Sequence, residues 1–482
     1  MSLVATRPPP ATAETHTSEP GPGSGTRAWW AWAAGLYALY ALFSLAQHHR
    51  LGTTGYDLGI FTQAVRGYAH FGAPIADLKG WGYNLYGDHF HPILILLVPL
   101  YWIWPNAQAL LVAQAALIAV ATVPLARLAA SRGGRAAGHA TAAAYGLSFG
   151  VQGAVSFDFH EVAFAAPLLA FSLAALSERR MKAAAAWALP LLLVKEELAL
   201  MVAVIGAIMI WRGARRLGLA LTGISVIVFT LVVGVLIPAF NPQHVYPYMN
   251  SAATGGSLSS SRSIFSRLTD APEMMFSPSQ KIITLLLLGA LTCFLALRSP
   301  LIAIALPNIA VRFLSDSPAY WGTGLQYNLP LMPVLIAAAW DAQPAWTRSR
   351  VPLARTLAHR AGAALLCAAA PLAPAQPLQD FLLHPVRSFS TDAHAKAAYA
   401  LMRQIPDGAA VEATNHLSPH LAERTRVFTW PLVQHTADWV ILDVNEYWPT
   451  SFEQNQAHLT DLLHHGYRQI DAQDGIFLLH RE

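Results

Sequence analysis

Long apolar stretches constrain this chain more than any other feature, because about ten of them lie between residues 29 and 375. A helix that crosses a bilayer needs about 20 mostly apolar residues. Only 12% of the 482 residues are charged, roughly half the share found in an average soluble domain. The sequence therefore predicts an α-helical integral membrane protein, multipass in the plasma membrane, with about 11 transmembrane segments.

The charged residues between these stretches fall into two classes. Loops rich in Lys and Arg stay in the cytoplasm, and such residues occupy four short connections: Arg132/Arg135, Arg179/Arg180/Lys182, Arg212/Arg215/Arg216 and Arg348/Arg350/Arg355. The other connections hold aspartate, glutamate and histidine instead. We expect these to gather at the outer face, in a site that acts on something presented from the membrane.

Changes in composition predict three regions. Residues 1–28, rich in Pro, Thr, Ala and Gly, are predicted to be a disordered cytoplasmic tail. Residues 29–377 are predicted to form the membrane domain, with outer loops at 48–106 and 239–278. Residues 378–482 are predicted to form a small extracytoplasmic α/β domain. Its expected strands and helices lie at 409–413, 426–430, 439–443 and 475–479, and at 393–404 and 451–465.

Two segments of the membrane domain depart from simple crossings. Residues 92–104 are apolar, bounded by Pro and ended by Tyr and Trp, which is typical of a helix lying at the membrane interface. Residues 182–211 have basic residues on both flanks, so both ends are expected in the cytoplasm. One helix of that length spans only about 45 Å. We therefore expect two short helices that meet near Lys195-Glu196-Glu197.

Several functional classes are not supported by the sequence. The net charge of +4 is modest, and topology accounts for the basic residues, so no nucleic-acid partner is predicted. The C-terminal region contains no glycine-rich dinucleotide motif, P-loop or zinc spacing, so no nucleotide cofactor is expected. Cys293 and Cys367 lie in apolar segments, which makes a disulfide framework unexpected.

Two aspartates are candidate catalytic carboxylates, and each also has a structural interpretation. Asp57 follows the first apolar stretch, where it could also be the N-cap of a helix at 58–70. Asp158, in the run Asp158-Phe-His160-Glu161, precedes another apolar stretch. An acid there is favoured by the helix dipole, so capping is equally compatible with its position.

Histidines and buried charges form a second group of candidates. His89 and His91 lie on one face if the segment is a strand, and with Asp88 they could bind a divalent metal ion. The alternative is a polar loop at the level of the lipid headgroups. The charges at 195–197 lie within an apolar stretch, where each costs roughly 2.5 kcal/mol or more and usually marks function. A structural Lys–Glu pair is the alternative.

Arginines near the outer face are candidates for binding a lipid phosphate. Arg312 is the lone charge near the outer end of its apolar stretch. Its guanidinium could bind a phosphate or extend to the headgroups. Arg262 and Arg267 in the outer loop are weaker candidates of the same kind.

The chain resembles a bacterial family of predicted multipass membrane proteins of unknown function over about residues 29–480. The motifs that carry the resemblance are Tyr56-Asp57-Leu-Gly-Ile-Phe-x-Gln63, His89-Phe-His91-Pro, Asp158-Phe-His160, Lys195-Glu196-Glu197 and Pro307-Asn308. That family looks like a distant branch of the GT-C glycosyltransferases, which include protein mannosyltransferases and lipid A aminoarabinose transferases. Where the family often has His-Tyr, this chain has Gln326-Tyr327, so an imidazole is missing there.

The resemblance implies a GT-C-like fold, a catalytic acid at Asp57, a second acid at Asp158 and an interfacial helix after the first outer loop. It also implies a sugar donor carried on polyprenyl phosphate. With Glu196 as a third catalytic candidate, the substrate-binding candidates are Lys195, Glu197, Arg312, Gln63, Tyr327 and His160.

The function predicted on this basis is inverting transfer of a sugar from a polyprenyl-phosphate donor to an extracytoplasmic acceptor, with membrane lipid as the partner. A transporter or flippase for a lipid or polar solute is one alternative, because broken helices and buried acids also suit that class. A non-catalytic envelope scaffold is another.

Overall fold

A computed structural model of the protein describes residues 24–249, 271–315, 317–370, 377–431 and 437–482. Helices build the described chain as far as residue 370, and a five-stranded sheet with its own helices follows. Arg262 and Arg267 lie outside the described residues, as do most of the predicted tail and the greater part of the outer loop 239–278.

The α-helices differ widely in length because prolines, glycines and 3₁₀ turns divide the apolar stretches. The first eleven are α1 Ser24–His49, α2 Ile60–Ala69, α3 Val98–Ile103, α4 Ala107–Val120, α5 Thr122–Leu147, α6 Phe149–Ser156, α7 Ala165–Ser177, α8 Met181–Ala188, α9 Leu198–Trp211, α10 Arg215–Leu231 and α11 Ile237–Phe240. The others are α12 Ala271–Phe276, α13 Ser279–Leu291, α14 Leu306–Phe313, α15 Leu331–Trp346, α16 Pro352–His359, α17 Ala361–Ala369, α18 Pro377–Leu383, α19 Pro385–Ser388, α20 Ala393–Met402 and α21 Phe452–His464.

Three helical stretches in the described part of the chain are long and apolar enough to cross a membrane: Thr26–His49, Ala107–Leu147 and Arg215–Phe240. The second contains a sharp break at Gly134, whose φ of 82° is left-handed, which agrees with the two crossings predicted on either side of Arg132/Arg135. Other apolar helices are shorter, including those at 181–193 and 300–313. The number of crossings stays a prediction.

The predicted division of residues 182–211 into two helices is confirmed. Helix α8 continues as a 3₁₀ turn over Leu189–Leu193, the chain bends at 194–197, and α9 returns. The residues that flank this segment, Arg180 and Arg212, both lie at the C-terminal end of α7. The amide of Arg180 donates to the carbonyl of Ala175 over 2.8 Å, and Arg212 donates to the carbonyl of Leu176 over 2.7 Å. The Lys195–Glu197 bend therefore lies at the opposite end of these helices from the arginines.

The segment predicted to lie at the membrane interface is helical, as a 3₁₀ turn over Pro92–Leu97 followed by α3. It keeps large apolar side chains exposed, among them Leu96, Trp102 and Ile103. Its position at a membrane surface remains a prediction, which these exposed side chains support.

The C-terminal region forms the predicted α/β unit. The strands are β1 Ala410–Ala413, β2 Arg426–Thr429, β3 Trp439–Asp443, β4 Tyr467–Gln473 and β5 Ile476–Arg481. They are ordered β2-β1-β3-β5-β4. Strand β1 pairs in parallel with β2 and β3, whereas β5 runs antiparallel to β3 and β4. Strand β4 was not predicted, because it lies at the sheet edge and is mostly exposed and polar.

The two faces of the sheet pack against different partners. Val411 and Ala413 belong to the hydrophobic cluster that continues into the membrane domain. Val440 and Leu442 face the other way and pack with Leu459 of α21. Because successive side chains on a strand alternate between faces, one face of the sheet packs on the helical bundle and the other on α21.

Candidate active site

Asp57 lies in a wide π-helical turn, Gly55–Gly59, that leads directly into α2. Neither that turn nor α2 has a side-chain capping bond at its start, so the interpretation of Asp57 as an N-cap is wrong. The Asp57 side chain is 25% exposed, and its Oδ1 lies 3.6 Å from Nε2 of His160. The carboxylate is thus held at the edge of the protein interior without a capping role.

Asp158 holds the beginning of the same turn. Its Oδ2 accepts a hydrogen bond from the amide of Thr54 over 2.8 Å and a second from the Thr54 hydroxyl. The following 3₁₀ turn, Glu161–Phe164, has no side-chain cap, so the capping interpretation of Asp158 is also wrong. Gln114 fixes this segment by donating to the carbonyl of Asp158 and accepting from the amide of His160.

A chain of charges runs from Asp57 into the protein. Nδ1 of His160 lies 2.6 Å from one oxygen of Glu161, whose other oxygen lies 3.0 Å from Nζ of Lys195. Glu161 is fully buried and was not predicted as a site residue. An acid at the start of an apolar stretch resembles a dipole-stabilising residue, and only its pairing with Lys195 across the fold shows its place.

Glu196 organises a second part of the network. Its carboxylate lies 2.7 Å from Nδ1 of His89, accepts from the amide of Phe90 over 3.1 Å, and accepts from the Tyr246 hydroxyl over 3.1 Å. The His89 ring stacks on Tyr248 with centroids 4.4 Å apart. Glu196 is therefore buried in a polar network that orients His89.

Lys79 and Asp88 form a further ion pair beside this network. Their Nζ and Oδ2 atoms are 2.6 Å apart, and the Tyr248 hydroxyl donates to Oδ1 of Asp88 over 2.9 Å. Nζ of Lys79 also lies 5.7 Å from the ring centroid of Tyr56. A cation is thus placed next to the Asp57 turn, although Lys79 was not predicted as a site residue.

The two histidines of the metal prediction point to different surroundings. Nδ1 of His89 lies within hydrogen-bond distance of Glu196, whereas the buried ring of His91 contacts the rings of Phe61 and Tyr86. Among the described residues, no group of three His, Cys, Asp or Glu side chains converges as a metal site requires. As the structure places them, His89, His91 and Asp88 do not form a shared metal site, because His89 lies against Glu196 and Asp88 against Lys79.

Arg312 is buried rather than extended to the headgroups, so that interpretation is wrong. Its guanidinium donates to the carbonyls of Tyr320 and Tyr327 over 2.9 and 3.0 Å, and to the side chain of Asn328 over 3.1 Å. Its Nη2 has no hydrogen-bond partner. Asn308 lies between Arg312 and Glu197, at 3.5 and 3.4 Å, and links both to the network.

Gln63 lies apart from this network. Its amide nitrogen donates to the carbonyl of Val427 over 2.8 Å, and its amide oxygen accepts from the amide of Leu78 over 3.1 Å. Gln63 is buried and joins α2 to the C-terminal sheet. Its contacts are those of a structural residue, whereas the motif had predicted substrate binding.

The C-terminal domain holds the Asp57 turn from the other side. The amide of Gly55 donates to the carbonyl of Asn415 over 2.6 Å, and the amide of Tyr56 donates to the Asn415 side chain over 2.9 Å. Nδ1 of His416 lies 3.0 Å from the carbonyl of Thr53. Since these residues are about 360 positions apart, sequence patterns contain no signal for this contact.

Burial and neighbouring charges set the proton affinity of the two aspartates. Burial, and then the negative charge of Glu161, raise the pKa of Asp57 to about 7, although Lys79 opposes the shift. Burial also raises the pKa of Asp158 to about 7 against the hydrogen bonds from Thr54, which favour the charged form. A carboxylate with a pKa near neutrality is suited to accept a proton at physiological pH.

The fold and family of the chain come from comparisons with known proteins. A family model described as "Predicted membrane protein (DUF2079)" matches residues 47–478. Among curated proteins, none matches the chain in sequence. The crystal structure of ArnT from Cupriavidus metallidurans bound to undecaprenyl phosphate superimposes with a TM-score of 0.53, covering 94% of this chain and 98% of that one at 13% identity.

The apo state of the same ArnT gives a TM-score of 0.52 over 95% of this chain and 98% of that chain, again at 13% identity. At this identity the likeness shows the fold alone. It confirms the predicted GT-C-like architecture, with helices first and a small C-terminal sheet.

Proposed function

Because this chain belongs to the family described as "Predicted membrane protein (DUF2079)" and shares the ArnT fold, we propose that it is a membrane glycosyltransferase. The proposed donor is a sugar on polyprenyl phosphate, and the proposed acceptor is a hydroxyl on the outer side. The observation that carries the proposal is the linked series Asp57, His160, Glu161 and Lys195. It places a titrating carboxylate next to buried cationic and acidic partners.

Asp57 acts as the general base in the proposed reaction. The acceptor hydroxyl oxygen attacks the anomeric carbon while Asp57 takes the hydroxyl proton. The bond between the anomeric carbon and the phosphate oxygen breaks, so polyprenyl phosphate leaves and the configuration inverts. The pKa of Asp57 near 7 matches this role because its carboxylate is available at neutral pH and can still hold the proton.

Cations near Asp57 stabilise the negative charge that develops on the leaving phosphate. Lys195, held by Glu161, and Lys79, held by Asp88, are the proposed partners. Positioned charges of this kind act strongly because the protein has already arranged them before the reaction. Tyr327, whose carbonyl is bound by Arg312, is proposed to line the same substrate region.

Asp158 and Glu196 are proposed to position other groups, although both had been predicted as catalytic. Asp158 binds Thr54 and thereby fixes the turn that carries Asp57. Glu196 orients His89. His160 joins Asp57 to Glu161 and is proposed to keep the Asp57 carboxylate aimed at the acceptor.

Lipid binding and sugar transfer test the proposal separately. Purified protein should bind undecaprenyl phosphate, measured by native mass spectrometry, and Asp57→Asn should bind it as well as wild type does. The double change Lys195→Gln with Glu161→Gln should weaken binding, since it removes the pair without leaving one buried charge alone. The matched control is Arg468→Gln, an exposed change in the C-terminal domain.

Transfer is then followed with radiolabelled sugar on polyprenyl phosphate, in membranes that contain wild type or Asp57→Asn at equal amounts. Transfer that depends on Asp57 supports the enzyme. A transporter or flippase would move the lipid across vesicles and leave its sugar attached. Failure of wild type to bind undecaprenyl phosphate would contradict the proposal.

A further inference from the structure

A cavity of about 510 Å³ lies at the junction between the helical bundle and the C-terminal domain, separate from Asp57. The end of α1, the start of α4, helix α20 and the segment after β1 line it. Its lining includes His48, Tyr399, Lys396, Arg403 and His420. None of these residues takes part in the network around Glu161 and Glu196, so the cavity is separate from the proposed donor site.

Two stacked imidazoles form one wall. The rings of His48 and His420 lie 4.0 Å apart at an interplanar angle of 21°. Burial, and then the neighbouring His48, hold the pKa of His420 well below its usual range, so that ring is neutral. Nε2 of His420 is buried and has no hydrogen-bond partner. A buried polar atom without a partner costs free energy, and a ligand oxygen or hydroxyl in the cavity would satisfy it.

The charge of the lining is positive. Lys396 and Arg403 line the cavity and have no carboxylate partner within the described parts of the chain. Arg424 is paired with Asp407 at 2.9 Å. Glu423 also lines the cavity, and burial raises its pKa to about 7, so its negative charge is incomplete at neutral pH. Two free cations and a weakened acid favour an anionic ligand.

Exposed apolar side chains lie close in sequence to two parts of the cavity lining. Ile103, 83% exposed, comes three residues before Asn106 at the cavity wall. Val386, 85% exposed, comes five residues before Thr391, which also lines the cavity. Exposed apolar side chains on α3 and α19 suit contact with a membrane surface, and cations near such a surface attract anionic headgroups.

We propose that this cavity binds the phosphate headgroup of an anionic phospholipid in the outer leaflet. The phosphodiester would lie between Lys396 and Arg403 and accept a hydrogen bond from His420, in the tautomer with its proton on Nε2, while the acyl chains remain in the bilayer beside α3 and α19. The site is distinct from the proposed donor site and does not depend on the proposed transfer. It would anchor the C-terminal domain to the membrane surface.

Native mass spectrometry of the full-length protein in mixed micelles tests the site with phosphatidylglycerol as the probe. Wild type should bind one phosphatidylglycerol more tightly than phosphatidylcholine. Arg403→Gln should weaken this binding about tenfold, and Lys396→Gln by a similar factor, because each removes a charge-assisted hydrogen bond. Arg468→Gln, an equal loss of charge on the exposed face of β4, should leave it unchanged.

A second variant tests the wall of the cavity. His420→Phe keeps an aromatic ring against His48 but removes Nε2, so it should weaken binding by a smaller factor than Arg403→Gln. Lys396→Gln and Arg403→Gln should unfold at the wild-type temperature, because both side chains are exposed. Equal loss in Arg403→Gln and Arg468→Gln would overturn the site in favour of general surface charge. Displacement of the lipid by inorganic phosphate at equal concentration would overturn its assignment to a lipid.

Discussion

The two ends of the helical bundle both hold charges, yet they use them differently. At the basic end, each oxygen of Asp341 has a partner. Oδ1 accepts from Ser177 over 2.9 Å, and Oδ2 accepts from Ser299 over 2.6 Å and from Arg212 over 2.9 Å. At the acidic end, by contrast, the carboxylate atom Oδ1 of Asp158 is buried without a partner, as is Nδ1 of His91, whereas the unpartnered buried atom at the Asp341 pair is a donor, Nε of Arg212.

This difference separates charges that serve the fold from charges available to a substrate. A buried carboxylate whose oxygens are all satisfied has no remaining capacity for a ligand. Buried atoms left without partners are costly, and sites that bind or react retain them. The free acceptor atom of Asp158 agrees with the proposal that transfer takes place at the acidic end, and changes at the two ends should then affect different properties.

The largest expected effect is the loss of transfer in Asp57→Asn. Asparagine has the same shape but cannot take the acceptor proton, so turnover should fall by about 10²–10⁴-fold. Stability should change little, because Asp57 makes no capping bond. The measurement is sugar transfer at matched amounts of folded protein, with thermal unfolding as the control. Near-normal transfer in this variant would remove Asp57 from the chemistry.

At the basic end, Asp341→Ala should cost stability and leave transfer per folded molecule within about twofold. The change leaves Arg212, whose side chain is 5% exposed, without its carboxylate. Removing one partner of a buried ion pair typically costs about 3–5 kcal/mol. Thermal unfolding in detergent measures the loss. An unchanged unfolding temperature combined with lost transfer would reverse the roles assigned to the two ends.

The pH dependence of transfer should also differ between changes at the two ends of the helical bundle. A general base must be deprotonated, and the pKa of Asp57 is about 7, so the rate should fall about tenfold per unit below that pH and level off above it. Asp57 raises the pKa of Asp158, and such coupling acts in both directions. In Asp158→Asn the acid limb should therefore move to lower pH. Asp341→Asn, as the control, should leave the profile in place.

Patterns along the chain predicted the parts of this structure that depend on local physics. Apolar stretches and basic flanks predicted the bend at Lys195–Glu197, because a segment with both ends in the cytoplasm must turn back on itself. Alternation predicted four strands of the sheet. Strand β4 was not predicted because most of its residues are exposed, and a polar edge strand lacks the alternating apolar pattern by which a strand is recognised.

Contacts between distant segments explain what the sequence did not predict. The pairing of Glu161 with Lys195 and the contact between Asn415 and the Asp57 turn arise only from tertiary packing. Gln63 shows the converse, because its motif suggested substrate binding whereas its partners are Val427 and Leu78. A motif marks residues that matter but leaves open whether they hold the fold or the substrate.

The smallest expected effect tests whether the C-terminal domain positions the Asp57 turn. A Cβ on Gly55 would lie 2.5 Å from Cβ of Ser418, so Gly55→Ala must displace the turn or the domain. Because small misplacements of reacting groups reduce rates steeply, transfer should fall about tenfold. Gly35→Ala is the matched control, since no atom lies within 4 Å of its added Cβ.

Adding Ser418→Gly to Gly55→Ala removes the obstructing side chain and should restore most of the lost transfer. Ser418→Gly alone should be nearly as active as wild type, at a cost of about 1 kcal/mol in stability from the lost bond to the Thr414 carbonyl. Restoration of transfer without a rise in unfolding temperature would show that the fit between turn and domain sets the rate. If the double variant is as slow as Gly55→Ala, the turn is held by the membrane domain alone, and Asp158 with Thr54 is sufficient to place Asp57.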